Sequence, residues 1–140
     1  MAGVSAAIRF LADQGEGDSL RGRLTTAMQR IHEHEIELAK TLYKGLESLD
    51  GVEVAGPTIT DPRRAPTLAV TVEGMRPEAV CHALAECNIL AWDGHFYGIR
   101  PMEALGLLDQ GGVTRLGISL YNTEDEVQRT IDAVKELAGC

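Results

Sequence analysis

Apolar positions along the chain change their period several times, and each change marks an element. Over residues 4–13, "VSAAIRFLAD", Val4, Ala7, Ile8 and Leu11 recur at helical spacing and predict a short helix. The next stretch, "QGEGDSLRGR" (14–23), sets glycines among alternating charges and predicts a mobile loop. Leu24, Met28, Ile31, Leu38, Leu42, Leu46 and Leu49 then step by three, four or seven residues. That spacing keeps them on one stripe and predicts a long helix over 24–49, closed by Asp50–Gly51.

Beyond the long helix the period shortens. "VEVAGP" (52–57) alternates and stops at a proline, which predicts a strand. "TITDPRRAP" (58–66) is a loop, and "TLAVTVEG" (67–74), rich in β-branched residues, is a second strand. "RPEAVCHALAECN" (76–88) has a proline at its start and Val80, Leu84 and Cys87 on one face, the pattern of a helix. "ILAW" (89–92) predicts a third strand, "PMEALGLLD" (101–109) a short helix and "GVTRLGISLY" (112–121) a fourth strand. Thr123 and Glu126 form the capping box of a last helix whose inner face is Val127, Ile131, Val134 and Leu137. This order predicts an α+β fold: a small three- to four-stranded sheet with helices packed on one face, preceded by a long helix.

Composition narrows the function classes. The chain has 140 residues, enough for one domain, and 44% of them are hydrophobic, which supports a core. A net charge of −8 repels phosphate backbones and argues against nucleic-acid partners. No apolar run reaches the ~18–20 residues of a membrane span. The start, "MAGVSAAIRFLADQGEG", lacks the basic and apolar regions of a signal peptide, so a cytoplasmic location is expected. The three cysteines are Cys81, Cys87 and Cys140. An odd number without a C-x-x-C pair argues against a disulfide framework. Cys81 and Cys87 are expected as small buried residues inside a helix, and Cys140 as a mobile terminal residue.

The densest polar chemistry is "WDGHFYGIR" (92–100), in a loop that follows a strand. His95 is a candidate acid or base and Asp93 a candidate to orient it, yet no nucleophile adjoins them. Arg115 lies in a strand between apolar neighbours. Buried, its guanidinium needs a carboxylate or phosphate partner; at an edge it is simply solvated, and the pattern leaves both open. "HEHE" (32–35) lacks the two imidazoles at i, i+4 that a helical zinc site needs, so no metal site is expected, nor a metal enzyme built on His32, His34 and His95. Neither a phosphate-loop pattern nor a G-x-S-x-G elbow occurs in the sequence.

"AWDGHFYGI", "GLLDQGGVTRLGISLYNTEDEV" and "QRTIDAVKEL" together resemble the C-terminal part of the class V aminotransferases, closest to their cysteine-desulfurase-like group. The run from Arg115 to Val127 carries most of the likeness. The helix with "RIHEHEIEL" (30–38) and the strand "PTLAVTVEG" fit in order, so the likeness spans about residues 4 to 138.

The resemblance implies a pyridoxal-phosphate enzyme of fold type I whose cofactor lysine, pyridine-pairing aspartate and phosphate loop belong to a large preceding domain. It divides the chain into a linking helix and loop (1–23) and a small C-terminal domain (24–140), with the large domain cut away or encoded separately. It implies that Arg115 binds the substrate α-carboxylate, with His95 beside it, and that Trp92, Asp93, Gly94 and Tyr97 belong to an active-site loop. In the desulfurases that loop presents a persulfide-forming cysteine about two residues past His95, where this sequence has Tyr97. A desulfurase mechanism through that thiol is therefore in doubt, and a lyase, aminotransferase or epimerase role on a small amino acid stays open. By itself the chain is expected neither to hold the cofactor nor to turn over substrate, and to form homo-oligomers like the family's dimers. The alternative is a stand-alone acidic α+β module that binds small carboxylates or a protein partner.

Overall fold

A computed structural model describes residues 2–61 and 64–139. The elements follow the expected order: α1 (Ala2–Ala12), α2 (Leu20–Glu47), β1 (Val52–Ala55), β2 (Thr67–Val72), α3 (Pro77–Glu86), β3 (Trp92–Gly94), α4 (Ile99–Ala104), β4 (Val113–Gly117) and α5 (Glu124–Ala138). The four strands form one antiparallel sheet in the order β1-β2-β4-β3. The chain has the expected α+β architecture. Pro62 and Arg63, within the expected loop, and Cys140, expected to be mobile, lie outside the described residues.

Strand alternation separates two faces. Leu68, Val70 and Val72 of β2 and Leu116 of β4 point toward α2, α3 and α5 and join Leu42, Leu46, Val80, Leu84, Val127 and Val134 in one core. Leu46, Leu68, Leu84, Val70, Val80 and Val134 are wholly buried, and each such burial contributes about 1.5–3 kcal/mol. The opposite face carries a row of paired positions, Ala55, Ala69, Arg115 and Trp92, one from each strand.

Several boundaries differ from the sequence expectation, each for a local reason. The long helix starts at Leu20, because Ser19 caps it by accepting the Gly22 N–H at 3.0 Å. The stretch expected as a mobile loop is thus partly the first turn of α2. Its remainder is tied down by Thr26 Oγ1, which donates to the Glu16 carbonyl at 2.7 Å and accepts the Glu16 N–H at 2.9 Å. Within the expected stripe Met28 is exposed, and Ala27 is buried beside Ile31 instead.

The third strand is Trp92–Gly94 rather than 89–92, because a Schellman motif occupies the residues before it. Asn88 takes a left-handed φ of 57°, its N–H reaches the Ala85 carbonyl at 2.9 Å, and the Ile89 N–H reaches that of Leu84 at 2.9 Å. Cys87 caps α3 and is exposed, and Cys81 is half-buried, so neither is the fully buried residue expected. The short helix is Ile99–Ala104 rather than 101–109, and the fourth strand ends at Gly117. The capping box of α5 forms as expected, with Thr123 and Glu126 each hydrogen-bonded to the other's backbone N–H.

Candidate functional site

Arg115 sits mid-strand on β4, where alternation places it on the face away from the long helices. It is exposed, so the solvated alternative holds for the side chain as a whole. Its guanidinium is nevertheless placed: the carbon lies 4.3 Å from the centroid of the Phe96 ring, a cation–π contact. Phe96 reaches it from the loop after β3, and the fold of that loop explains how. The Gly98 N–H bonds the His95 carbonyl at 2.7 Å, and Phe96 and Tyr97 between them both have left-handed φ, 49° and 62°. That is the signature of a type I′ turn. Two consecutive aromatic residues in this region carry a steric cost that asparagine and glycine normally avoid. Gly112 packs beneath the loop: a Cβ there would come within 2.2 Å of the Gly94 carbonyl oxygen.

A cavity of about 290 Å³ opens on this face. Its walls are almost wholly apolar and include Ala69, Phe96, Met102 of α4 and Val113, with Arg115 and Arg64 also among the lining residues. Arg64, half-buried, comes from the loop before β2. It donates through Nη1 to the Pro57 carbonyl and through Nη2 to the Thr67 carbonyl at 3.5 Å. Its charge lies 5.9 Å from the Tyr43 ring centroid on α2, and its Nε is buried with no hydrogen-bond partner. Among the described residues neither arginine forms an ion pair.

The polar stretch of 92–100 is divided by the sheet rather than gathered. Trp92 shares the Arg115 row and is 69% exposed. Asp93 pairs with Thr114, so its side chain belongs to the opposite, helix-facing side. It therefore does not orient His95, as had been expected. Its charge instead reaches Cys81 on α3: burial pushes that thiol above its ordinary value, a hydrogen bond with Thr114 pulls it back, and Asp93 adds to the rise. A thiol so placed is a poor nucleophile.

His95 is exposed, and its Nδ1 accepts the Tyr97 N–H at 3.1 Å, which leaves Nε2 to carry the proton in the neutral ring. Gly94 bridges strand and loop with φ 124°, and Tyr97 is 97% exposed. Of the expected site residues, Arg115 lines the cavity; Trp92 borders its row; His95, Gly94 and Tyr97 belong to the turn that carries Phe96.

Sequence reasoning missed Phe96, Met102 and Arg64. Phe96 adjoins His95 but reads as a core residue. Nothing local in "DPRRAP" says that its second arginine returns to a cavity bordered by β4. Among the described residues no cluster of His, Cys, Asp and Glu could hold a metal ion, and no helix is long and apolar enough to cross a membrane.

A small antiparallel sheet with three helices on one face and a small cavity bordered by arginines on the other defines the general class: a small α+β domain. The chain belongs to the class V aminotransferase family, whose model matches residues 14–130. It is 31% identical over 127 residues to a probable cysteine desulfurase of Methanothermobacter thermautotrophicus, covering 89% of this chain and 31% of that protein. It is 36% identical over 108 residues to an aminotransferase-like protein of Gibberella zeae, covering 75% and 27% respectively. Among solved structures, the apo cysteine desulfurase of Thermococcus onnurineus matches with a TM-score of 0.73 at 25% identity, over 89% of this chain and 32% of that one. The chain thus spans about a third of the length of these relatives.

The family implies pyridoxal phosphate in its complete enzymes. The residues around this cavity do not fit covalent attachment of that group. The chain's three lysines, Lys40, Lys44 and Lys135, lie on α2 and α5, and none lines the cavity. Lys40 is engaged with Glu37 at 2.6 Å. No chemical step through the cofactor follows from this chain's own groups.

Proposed function

We propose that this chain acts as the C-terminal small domain of a pyridoxal-phosphate enzyme of the cysteine-desulfurase-like group, working on a small amino acid. Its contribution is substrate binding. Arg115 holds the α-carboxylate, the Phe96 ring fixes the direction of the guanidinium, and the turn at 95–98 forms one wall of the reaction site. His95 presents Nε2–H toward a substrate oxygen. The single observation that supports this reading is the exposed guanidinium of Arg115, without an ion pair among the described residues and stacked on Phe96 beside a small cavity. A planar fork of this kind suits bidentate recognition of a carboxylate.

The cofactor and its lysine come from the large domain, so the chain by itself is catalytically silent: electron-sink chemistry belongs to the cofactor. Tyr97 stands near where a desulfurase presents its thiol, which disfavours persulfide transfer through this loop and leaves lyase, aminotransferase or epimerase chemistry. Incubated with pyridoxal phosphate, the chain will show no absorbance band of a lysine-bound cofactor. A borohydride-reducible adduct at one particular lysine would overturn the reading.

The second reading is a stand-alone acidic module for small carboxylates or a protein partner, favoured by the fact that this cavity is formed wholly within the chain. A tight, stoichiometric rise in melting temperature with a free amino acid, lost in Arg115→Gln, would select it over the first.

A further inference from the structure

The turn after β3 is held in a conformation that its own residues resist. Phe96 and Tyr97 both sit in the left-handed region, at φ 49° and 62°, where a side chain crowds its own backbone. Glycine and asparagine, which relieve that strain, are absent from the two central positions. Contacts around the pair must therefore hold it. The Gly98 N–H donates to the His95 carbonyl at 2.7 Å, and the Phe96 ring lies 4.3 Å from the Arg115 guanidinium carbon. The Tyr97 N–H donates to His95 Nδ1 at 3.1 Å.

The last of these contacts differs from the others in kind. A backbone carbonyl accepts at any pH, and a guanidinium stays charged. An imidazole nitrogen accepts only while the ring is neutral. Once the ring is protonated both nitrogens carry hydrogen, and Nδ1 becomes a donor facing a donor. The His95 ring is exposed, so solvent protons reach it directly. The titratable and charged groups on the elements around the turn are Asp93 on β3, turned to the other face of the sheet, Tyr97 with its ring centroid 6.5 Å from that of His95, Arg100 and Glu103 on α4, and Arg115 on β4. Among the described residues His95 forms no ion pair with any of them that would hold the protonated ring in place.

We propose that His95 is a protonation-dependent positioning residue for Arg115. Its neutral ring completes the type I′ turn that lays Phe96 on the guanidinium, and protonation loosens the turn and frees the guanidinium to wander. The sign follows from the acceptor role: the turn is complete above the range in which imidazole titrates and is lost as pH falls through it. With Arg115 as the carboxylate contact, the grip on substrate weakens in acid; only that consequence rests on the proposed function, while the switch is a property of the turn.

NMR spectra of the isotope-labelled chain without ligand, recorded from about pH 8 to about pH 5, span the imidazole range. At the upper end strong intraresidue NOEs between the amide and α protons are expected at Phe96 and Tyr97, the mark of positive φ, with Arg115 side-chain protons shifted upfield by the Phe96 ring. Both signals are expected to fade in step with the titration of the His95 ring. His95→Asn supplies an amide oxygen that accepts from the same N–H at every pH, as in an Asx turn, and is expected to keep the signals at both ends. His95→Ala is expected to lower the ratio of closed to open turn about fivefold at the upper end, the scale of one hydrogen bond, and to remove the pH response. Turn signals that stay constant while the His95 ring titrates would overturn the switch. So would the same pH response in His95→Asn, or a turn left unchanged by His95→Ala. The wild-type titration needs no variant, so a misfolded substitution does not spare the idea. No ligand enters these measurements, so a failure of Arg115 to bind carboxylates would sink the proposed function and leave the switch standing.

Discussion

Glu126 closes the first turn of α5 from the side-chain end. Its Oε2 accepts the Asn122 side-chain amide at 3.1 Å and the Thr123 N–H at 3.0 Å, while Thr123 Oγ1 accepts the Glu126 N–H at 3.3 Å. Those bonds favour the carboxylate, the Asn122 contact most of all and the Thr123 N–H next, and hold its pKa below the ordinary value. A group depressed in the folded state stabilises fully above its unfolded pKa and loses that contribution as pH falls through the folded one. Thr123→Ala is expected to cost about 1 kcal/mol in urea unfolding at neutral pH. Glu126→Gln should lower stability at neutral pH and narrow its gap to wild type in acid; a gap that stays constant with pH would refute the charged cap. This box was legible as Thr123–x–x–Glu126, because both partners lie within one turn. The Arg115–Phe96 contact was not, because it joins residues from two strand ends that only the sheet brings together.

At the scale of elements, the close crossing of α2 and α5 depends on one small residue. A Cβ at Gly45 would lie 2.4 Å from Ile131 Cδ1 and 2.8 Å from its Cγ1. In an exposed helix, glycine to alanine would stabilise by up to ~1 kcal/mol through propensity. Here it overpacks the α2–α5 contact, and Gly45→Ala is expected to lower stability by about 1–3 kcal/mol in chemical denaturation. A gain in stability would show that the helices separate at no cost. The long periodic stripes of α2 and α5 were readable, since helical spacing repeats several times in each. The edges of β3 and α4 were not. A three-residue strand and a six-residue helix carry too few positions for a period, and local caps decided where each begins.

Across the whole molecule, large apolar side chains stand exposed on several elements, Leu90, Tyr97 and Tyr121 among them, and five belong to the first two helices. Val4, Ile8 and Phe10 on α1, with Leu20 and Met28 on α2, stand exposed, Val4 by 63% and Phe10 by 55%. Such surface favours association. A homo-oligomer is therefore expected at high concentration, with Val4→Glu/Ile8→Glu shifting it to monomer. Light scattering checks both, and a wild-type monomer at high concentration would count against the idea.

The sequence by itself determined the element order, the α+β class, the capping box of α5 and the family resemblance, since each rests on local spacing or on a contiguous motif. Tertiary structure alone decided the strand order, with β4 between β2 and β3. It sent Asp93 to one face and Trp92 to the other, and it carried Arg64 and Phe96 to the cavity beside Arg115. The physical reason is the two-residue period of a strand: neighbours in sequence part to opposite faces, and chemistry gathers by row across the sheet, a relation no stretch of sequence contains.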